Sequence, residues 1–291
     1  MRERREPAWI DRKMYPFEPR YFKVPAGWMH YVDEGEGAPV VFVHGNPSWS
    51  FQFRDIITRL SKRYRCIAPD HIGFGLSDKP PGWTYLPEDQ ARNLEIFLES
   101  LDLSGITLVV GDWGGPIGLS YSINHPEKVS GLVITNTWMW PVGRDPYYAL
   151  FSSFVGGPVG RWLVMEHNFF AGTMLRLMFG DKSKLTPEVH RHYTKPLARP
   201  SERKGSWVFP RSITASSPWL KDLWGKRAAL LEKDILFAWG MKDIAFREKE
   251  LDVWRRAFPR AETVRYEGTG HFVSEERSGL FARDIKGFIK G

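Results

Sequence analysis

Short apolar, β-branched runs at residues 40–43, 65–68, 106–110, 131–135, 235–239 and 263–266 have the length and composition of strands covered on both faces. Between them the apolar spacing changes to a helical one. Residues 51–61, 87–101 with an acidic first turn, and 114–124 stopped near Pro126 are predicted helices, and a last helix is predicted over 280–289. Extended character at 21–24 and 28–32 precedes a turn at Gly35 and Gly37. Strands and helices alternating at this spacing predict an α/β fold, a mostly parallel sheet with helices on both faces.

The rhythm breaks between residues 138 and 212. Aromatics, Gly and Pro recur there without a clear strand, among them Phe151, Phe154, Phe169, Phe170, Phe179 and Trp207. Because strand character returns at 235–239, the segment is expected to be a helical cap inserted after the sixth strand. The core is then in two parts, residues 1–137 and 213–291. A length of 291 residues suits one such domain with an insertion. The 13 Trp and 19 Phe fit either a large aromatic core or an aromatic-lined cavity. No internal repeat or low-complexity stretch is visible.

Charge and cysteine usage narrow the partners. The formal charge of +7 comes from basic residues interleaved with acids, a solvated surface in place of the long stripe that nucleic acid requires. Arg2, Arg4 and Arg5 alternate with Glu3 and Glu6 and lead into no apolar segment, so this end reads as an exposed arm and not as a secretory signal. Cys66 is the one cysteine and has no internal partner, and no apolar run approaches the roughly 20 residues that span a bilayer. A cytoplasmic protein with no membrane or nucleic-acid partner is expected.

Candidate chemistry falls at predicted strand ends, where open α/β sheets place their ligands. Gly111, Asp112, Trp113, Gly114 and Gly115 follow 106–110 and put an acid where a buried strand turns sharply into a helix, the place many hydrolases reserve for serine. A carboxylate nucleophile attacks an electrophilic carbon bearing a good leaving group and forms an ester. His44, Gly45, Asn46 and Pro47 follow 40–43, Asp243 follows 235–239, and His271 lies in a turn with Gly268, Thr269 and Gly270 after the last strand. The order nucleophile, acid, histidine is that of the α/β-hydrolase arrangement.

Simpler roles exist for each. Asp112 could cap the helix it precedes, and Asp243 could be a turn residue after Gly240, Met241 and Lys242. His44 is read as shaping its turn. His190 and His192 are a pair without a Cys or acidic partner at ligand spacing, so no metal site is assigned. Asp70 with Gly73, Gly75 and Ser77 reads as a structural loop, and the dinucleotide and P-loop glycine patterns are absent.

On these motifs, and over residues 21–289, the chain resembles the α/β-hydrolases and within them the haloalkane dehalogenases. The specific residues are Asn46 in His-Gly-Asn-Pro and Trp113 directly after Asp112. The resemblance implies that the side chains of Asn46 and Trp113 donate N–H groups to a departing halide. It implies an attack by Asp112 on the halogen-bearing carbon of a small aliphatic substrate. His271, oriented by Asp243, then activates the water that cleaves the ester, with the backbone N–H groups of Asn46 and Trp113 as oxyanion donors. Alcohol, halide and a proton leave, and no metal or organic cofactor is needed.

Some members carry the acid as a glutamate just after the strand that follows the elbow helix. Asn136 stands there, which assigns the acid to Asp243 and makes the chain similar to the third haloalkane dehalogenase subfamily. That likeness implies members that form large homo-oligomers. An epoxide hydrolase is the nearest rival; it would use two cap tyrosines, and Tyr147, Tyr148 and Tyr193 are available by type. Against it, similar epoxide hydrolases usually carry an aromatic at the position of Asn46. A defluorinase of fluoro-acids would carry an arginine near the elbow, where this chain has Trp113. A non-catalytic ligand-binding protein on the same fold is the third alternative.

Overall fold

Eight strands form a single sheet in the computed structural model, which describes residues 7–289. The expected N-terminal arm, residues 2–6, lies outside the described residues. The strands are β1 (Arg20–Val24), β2 (Gly27–Glu34), β3 (Pro39–Val43), β4 (Arg65–Pro69), β5 (Ile106–Gly111), β6 (Val129–Thr135), β7 (Asp234–Gly240) and β8 (Glu262–Tyr266). Their order in the sheet is β1-β2-β4-β3-β5-β6-β7-β8. β1 and β2 form an antiparallel hairpin, β2 pairs antiparallel with β4, and every pairing from β4 to β8 is parallel.

Side chains alternate across each strand, so the continuous apolar runs feed two cores at once. Val41, Val43, Leu108, Val110, Leu132 and Ile134 pack on one face against α2 (Pro87–Ser100) and α3 (Gly114–Asn124), through Leu94, Phe97, Ile117 and Leu119. Val40, Phe42, Val109, Val133, Leu236 and Ala238 pack on the other against α1 (Arg54–Leu60) and the C-terminal helix, through Ile56, Ile57, Phe281 and Ile285. Each such Val, Leu, Ile or Phe side chain contributes about 1.5–3 kcal/mol of burial. The helix ends follow local rules: α2 starts on Pro87 with Glu88 and Asp89 in its first turn, facing the positive end of the helix dipole. The helix expected over 51–61 is divided into a tight turn at Ser50–Phe53 and then α1. Its start is pinned by the buried Asp70, which accepts the Ser50 N–H at 2.8 Å.

Between β6 and β7 the described chain is helical: α4 (Pro146–Gly156), α5 (Pro158–His167), α6 (Leu175–Met178), α7 (Pro187–Thr194), α8 (Lys204–Ala215) and α9 (Ser217–Gly225). A π-helical turn at Phe170–Met174 precedes α6. α4 lies along α8, whereas α9 returns to pack on α3 of the core. The fold closes with α10 (Glu248–Ala257), α11 (Val273–Glu276) and α12 (Ser278–Phe288).

Candidate active site

Three parallel strands, β3, β5 and β7, end on the same edge of the sheet with β6 between the last two, so the loops leaving them converge. The turn after β5 is the sharpest. Asp112 sits in the left-handed region at φ +50°, a conformation uncommon outside glycine. The two residues after Trp113 are glycine because space is short: a Cβ on Gly114 would lie 2.0 Å from the Val43 carbonyl oxygen, and one on Gly115 2.0 Å from Thr137 Oγ1. Bonds on every side hold the strained residue. Asp112 N–H donates to Asn136 O at 3.0 Å, while Asp112 O accepts from Gly115 N–H at 2.9 Å and Thr137 Oγ1 at 2.5 Å.

The turn fixes the carboxylate. Asn46 N–H donates to Asp112 Oδ1 at 2.7 Å, and Gly45 beside it has no room for a side chain, since a Cβ there would lie 2.2 Å from that oxygen. Asp112 Oδ2 lies 3.8 Å from His271 Nε2, and His271 Nδ1 lies 2.8 Å from Asp243 Oδ2. The other Asp243 oxygen accepts the Ala245 N–H at 2.7 Å. Asp112, Asp243 and His271 are thus brought into one line, and Asn46 and Trp113 meet at the first of them.

Burial pushes the Asp112 carboxyl above its ordinary pKa range, against the opposing pull of His271 and of the backbone N–H groups of Trp113 and Asn46. Burial alone would depress His271. The Asp243 carboxylate and, more weakly, Asp112 outweigh it and raise the imidazole above the ordinary histidine value.

Two cavities meet at the carboxylate. One, of about 620 Å³, is lined by Asn46, Asp112 and Trp113 at its floor and by cap groups that include Phe151, Phe170 and Met178. The other, of about 240 Å³, is polar and is lined by Ser48, Gln52, Asn136 and His271 together with Asn46 and Asp112. Trp113 is held edge-to-face on Trp138 with ring centroids 4.6 Å apart, and Phe209 packs at 5.5 Å. Among the described residues neither its indole N–H nor the Asn46 side-chain amide finds a protein partner.

The other candidates are placed elsewhere. His44 Nδ1 lies 2.8 Å from Gly45 O and its Nε2 accepts from His71 N–H at 2.9 Å, so it shapes the turn that presents Asn46. Burial depresses its pKa and keeps the ring neutral. His192 stacks on Phe51 while His190 lies against Arg176 and the Ala171 carbonyl, and the two rings serve different contacts. Tyr147 and Tyr148 line the larger cavity, but their hydroxyls donate to the Ile244 and Ala245 carbonyls at 2.6 and 2.8 Å. Tyr193 lies away from the cavity and donates to Glu275. Of the six cap aromatics, Phe151 and Phe170 line the cavity; Phe179 stacks on Phe272, and Trp207 donates its indole N–H to Val155 O.

Several residues of the site were not singled out as such in the sequence. Asn136, there only a position vacated by an acid, ties the strand ends: its amide donates to Gly240 O at 3.1 Å and Phe246 O at 3.3 Å and accepts from Gly240 N–H at 2.8 Å. Gln52 bridges Ser48 and Ser274 in the wall of the polar cavity. Glu275 and Glu276, two adjacent acids just after His271, are both buried, and that pair is the signal that could have drawn attention to them.

Sheet order, elbow and strand-end acids define an α/β-hydrolase, and residues 38–278 match the α/β hydrolase fold family. The chain is 37% identical over 277 residues to haloalkane dehalogenase 2 of Mycobacterium tuberculosis, covering 94% of this chain and 96% of that one. It is 34% identical over 295 residues to a cis-3-alkyl-4-alkyloxetan-2-one decarboxylase of Xanthomonas campestris, covering 95% and 97%. The solved structure of the haloalkane dehalogenase DatA from Agrobacterium tumefaciens superposes with a TM-score of 0.83 at 26% identity, covering 93% of this chain and 95% of that one. The chain belongs to the haloalkane dehalogenase family of the α/β-hydrolases.

Proposed function

We propose that this protein hydrolyses small haloalkanes to alcohol, halide and a proton through an alkyl ester on Asp112. The observation that carries the reading is the placing of one buried carboxylate at the floor of an apolar cavity, beside two unpartnered N–H donors, with His271 Nε2 3.8 Å away. In the first step Asp112 displaces halide from carbon in line. Negative charge passes from the carboxylate to the leaving group, and the Asn46 and Trp113 side-chain N–H groups stand where it develops. In the second step His271, its Nδ1–H held by Asp243, takes a proton from a water in the polar cavity as that water attacks the ester carbonyl. The backbone N–H groups of Asn46 and Trp113 face the oxyanion; the former already donates to Asp112 Oδ1 at 2.7 Å.

In this reading residues 138–212 are the cap, while residues 1–137 and 213–291 are the core that holds Asp112, Asp243 and His271. The Asp-His-Asp set with the Asn46 and Trp113 pair supports the third subfamily and, with it, a homo-oligomeric assembly. We place the protein in the cytoplasm, a reading supported by a chain with the single, buried cysteine Cys66 and no disulfide to maintain. Among the described residues no helix is long and apolar enough to cross a membrane.

One second reading has a specific observation behind it. The decarboxylase of Xanthomonas campestris matches over 97% of its length at nearly the same identity. On that reading the apolar cavity takes a cis-dialkyl oxetan-2-one, whose four-membered ring splits into an alkene and carbon dioxide. The epoxide reading is weakened by the Tyr147 and Tyr148 hydroxyls, whose protons are committed to backbone carbonyls.

The test supplies each substrate to the same preparation: 1-bromobutane and 1,2-dibromoethane with bromide measured, styrene oxide with diol measured, and a cis-dialkyl oxetan-2-one with alkene measured. Bromide release is expected. Alkene alone would replace the dehalogenase reading with the decarboxylase, diol alone with the epoxide hydrolase, and no product from any of them with a ligand-binding protein.

A further inference from the structure

The two acids that follow His271 on α11 turn to different partners. Glu275 forms a bidentate pair with Arg54, at 2.5 and 2.9 Å, and accepts the Tyr193 hydroxyl. Glu276 is 3% exposed and pairs with no cation among the described residues. A buried carboxylate left without partners is strongly destabilising. This one is satisfied by three backbone N–H groups: Gly270 at 2.9 Å and Gly180 at 3.2 Å on Oε1, and Asp181 at 2.7 Å on Oε2. Bonds to an ionised acceptor are about twice as strong as neutral ones.

These donors come from two segments far apart in sequence. Gly270 belongs to the loop that carries His271, whereas Gly180 and Asp181 belong to the chain that leaves cap helix α6. The segments touch closely: a Cβ on Gly180 would lie 2.6 Å from Gly268 O and from Gly270 N, and one on Gly270 would lie 2.1 Å from Met178 O. His271 N–H itself donates to Met178 O at 2.9 Å. Met178 also lines the apolar cavity, so one residue of the cap touches both the substrate space and the backbone of the histidine.

We propose that Glu276 is a positioning residue that clamps the cap segment 178–181 to the His271 loop, so that the stance of the histidine for the water step is set by the cap. This rests on His271 being the base of the second step. The clamp acts chiefly on the second step, because Asp112, Asn46 and Trp113 are held by the β3 and β5 turns and the clamped segment reaches the first step only through Met178 in the cavity wall. The carboxylate is needed for its two acceptor oxygens. In Glu276→Gln an NH₂ group replaces one of them and confronts an N–H donor, which breaks the bond to Asp181 or those to Gly180 and Gly270.

The test uses the full chain and 1,2-dibromoethane. Rapid-quench kinetics separates the bromide burst from ester hydrolysis, and hydrogen–deuterium exchange follows residues 178–181 and 268–271. In E276Q the burst rate is expected to stay within about twofold of wild type, while hydrolysis slows by about a hundredfold, the scale of a 1 Å misplacement of a reacting group. The alkyl ester then accumulates in intact-mass spectra, and both segments lose protection together. E276D keeps the charge with a shorter reach, guards against a misfolded E276Q, and is expected to slow hydrolysis by about tenfold, the worth of one hydrogen bond to a charged group, with the burst little changed. Equal losses in both steps, or hydrolysis at the wild-type rate in E276Q, would overturn the clamp. So would unchanged exchange in either segment. Should the wild-type protein release no bromide, the dehalogenase reading fails, and the exchange measurement still decides whether Glu276 joins the two segments.

Discussion

Replacing Asp243 by asparagine keeps the size of the side chain and turns one oxygen into an amide nitrogen. Asp243 Oδ1 accepts the Ala245 N–H at 2.7 Å and Oδ2 faces His271 Nδ1 at 2.8 Å. The Ala245 N–H can only donate, so the amide oxygen stays with it and the NH₂ turns toward His271. Nδ1 must then accept, the ring proton moves to Nε2, and the water meets a donor where it needs a base. The lost charge on the developing imidazolium alone is worth about 4 kcal/mol for unit charges about 4 Å apart at an effective dielectric of about 20, or roughly 10³-fold. The tautomer change takes the expected loss in hydrolysis to about 10⁴-fold. Alkylation depends on Asp112, Asn46 and Trp113 and is expected to stay within about tenfold, since every contact made by those groups survives. Rapid-quench kinetics with 1,2-dibromoethane would show a bromide burst of one equivalent followed by a nearly stationary ester. Hydrolysis slowed by less than tenfold, or alkylation slowed as much as hydrolysis, would refute the assignment of Asp243.

Removal of the proposed base, His271→Ala, is expected to leave the ester on Asp112 visible as a mass adduct; an unmodified protein after substrate would refute that role. Asn46→Ala removes one donor at the site of charge development and is expected to slow the halide-release step by about 10²–10³-fold, with ester hydrolysis much less affected. A single-turnover rate equal to wild type would remove Asn46 as a halide ligand. Because Asp243 raises the His271 pKa above its ordinary value and the base acts when neutral, ester hydrolysis is expected to fall as pH drops through a point above about 6.5. The sign for stability is the reverse: the raised pKa stabilises the fold at low pH, and that contribution fades as pH rises through it. Stopped-flow hydrolysis across pH 5–9, flat down to about pH 6, would contradict the shift. Glu275→Leu leaves Arg54 buried without its partner and is expected to cost about 3–5 kcal/mol in urea unfolding; a loss below about 1 kcal/mol would mean that solvent reaches the guanidinium.

The sheet was legible because its strands are buried on both faces, so β3, β5, β6 and β7 stand out as apolar runs and their ends point to Asn46, Asp112, Asn136 and Asp243. The chain order of the acids and His271 carried the rest of the line. Contacts between a side chain and a distant backbone leave no periodic trace. The Asn136 amide reaches Gly240 and Phe246, and the Glu276 carboxylate reaches Gly180 and Asp181; neither could be foreseen from spacing. In the cap the aromatics announced a covering but not its lining. Phe151 and Phe170 face the cavity and Phe179 does not, a distinction made by the π-helical turn at Phe170–Met174 and by packing on Phe272.

Among the described residues only Asn46 and Asp112 line both cavities, and the rest of the two walls is separate property. In the proposed mechanism the apolar wall selects what is admitted and the polar wall supplies the water. Drift at Phe151 or Ile213 can therefore change the diet of the protein while its means of releasing the bound product is inherited intact. A lineage on this scaffold can sample new substrates without reinventing its second step, provided it leaves the short strap at 178–181 alone.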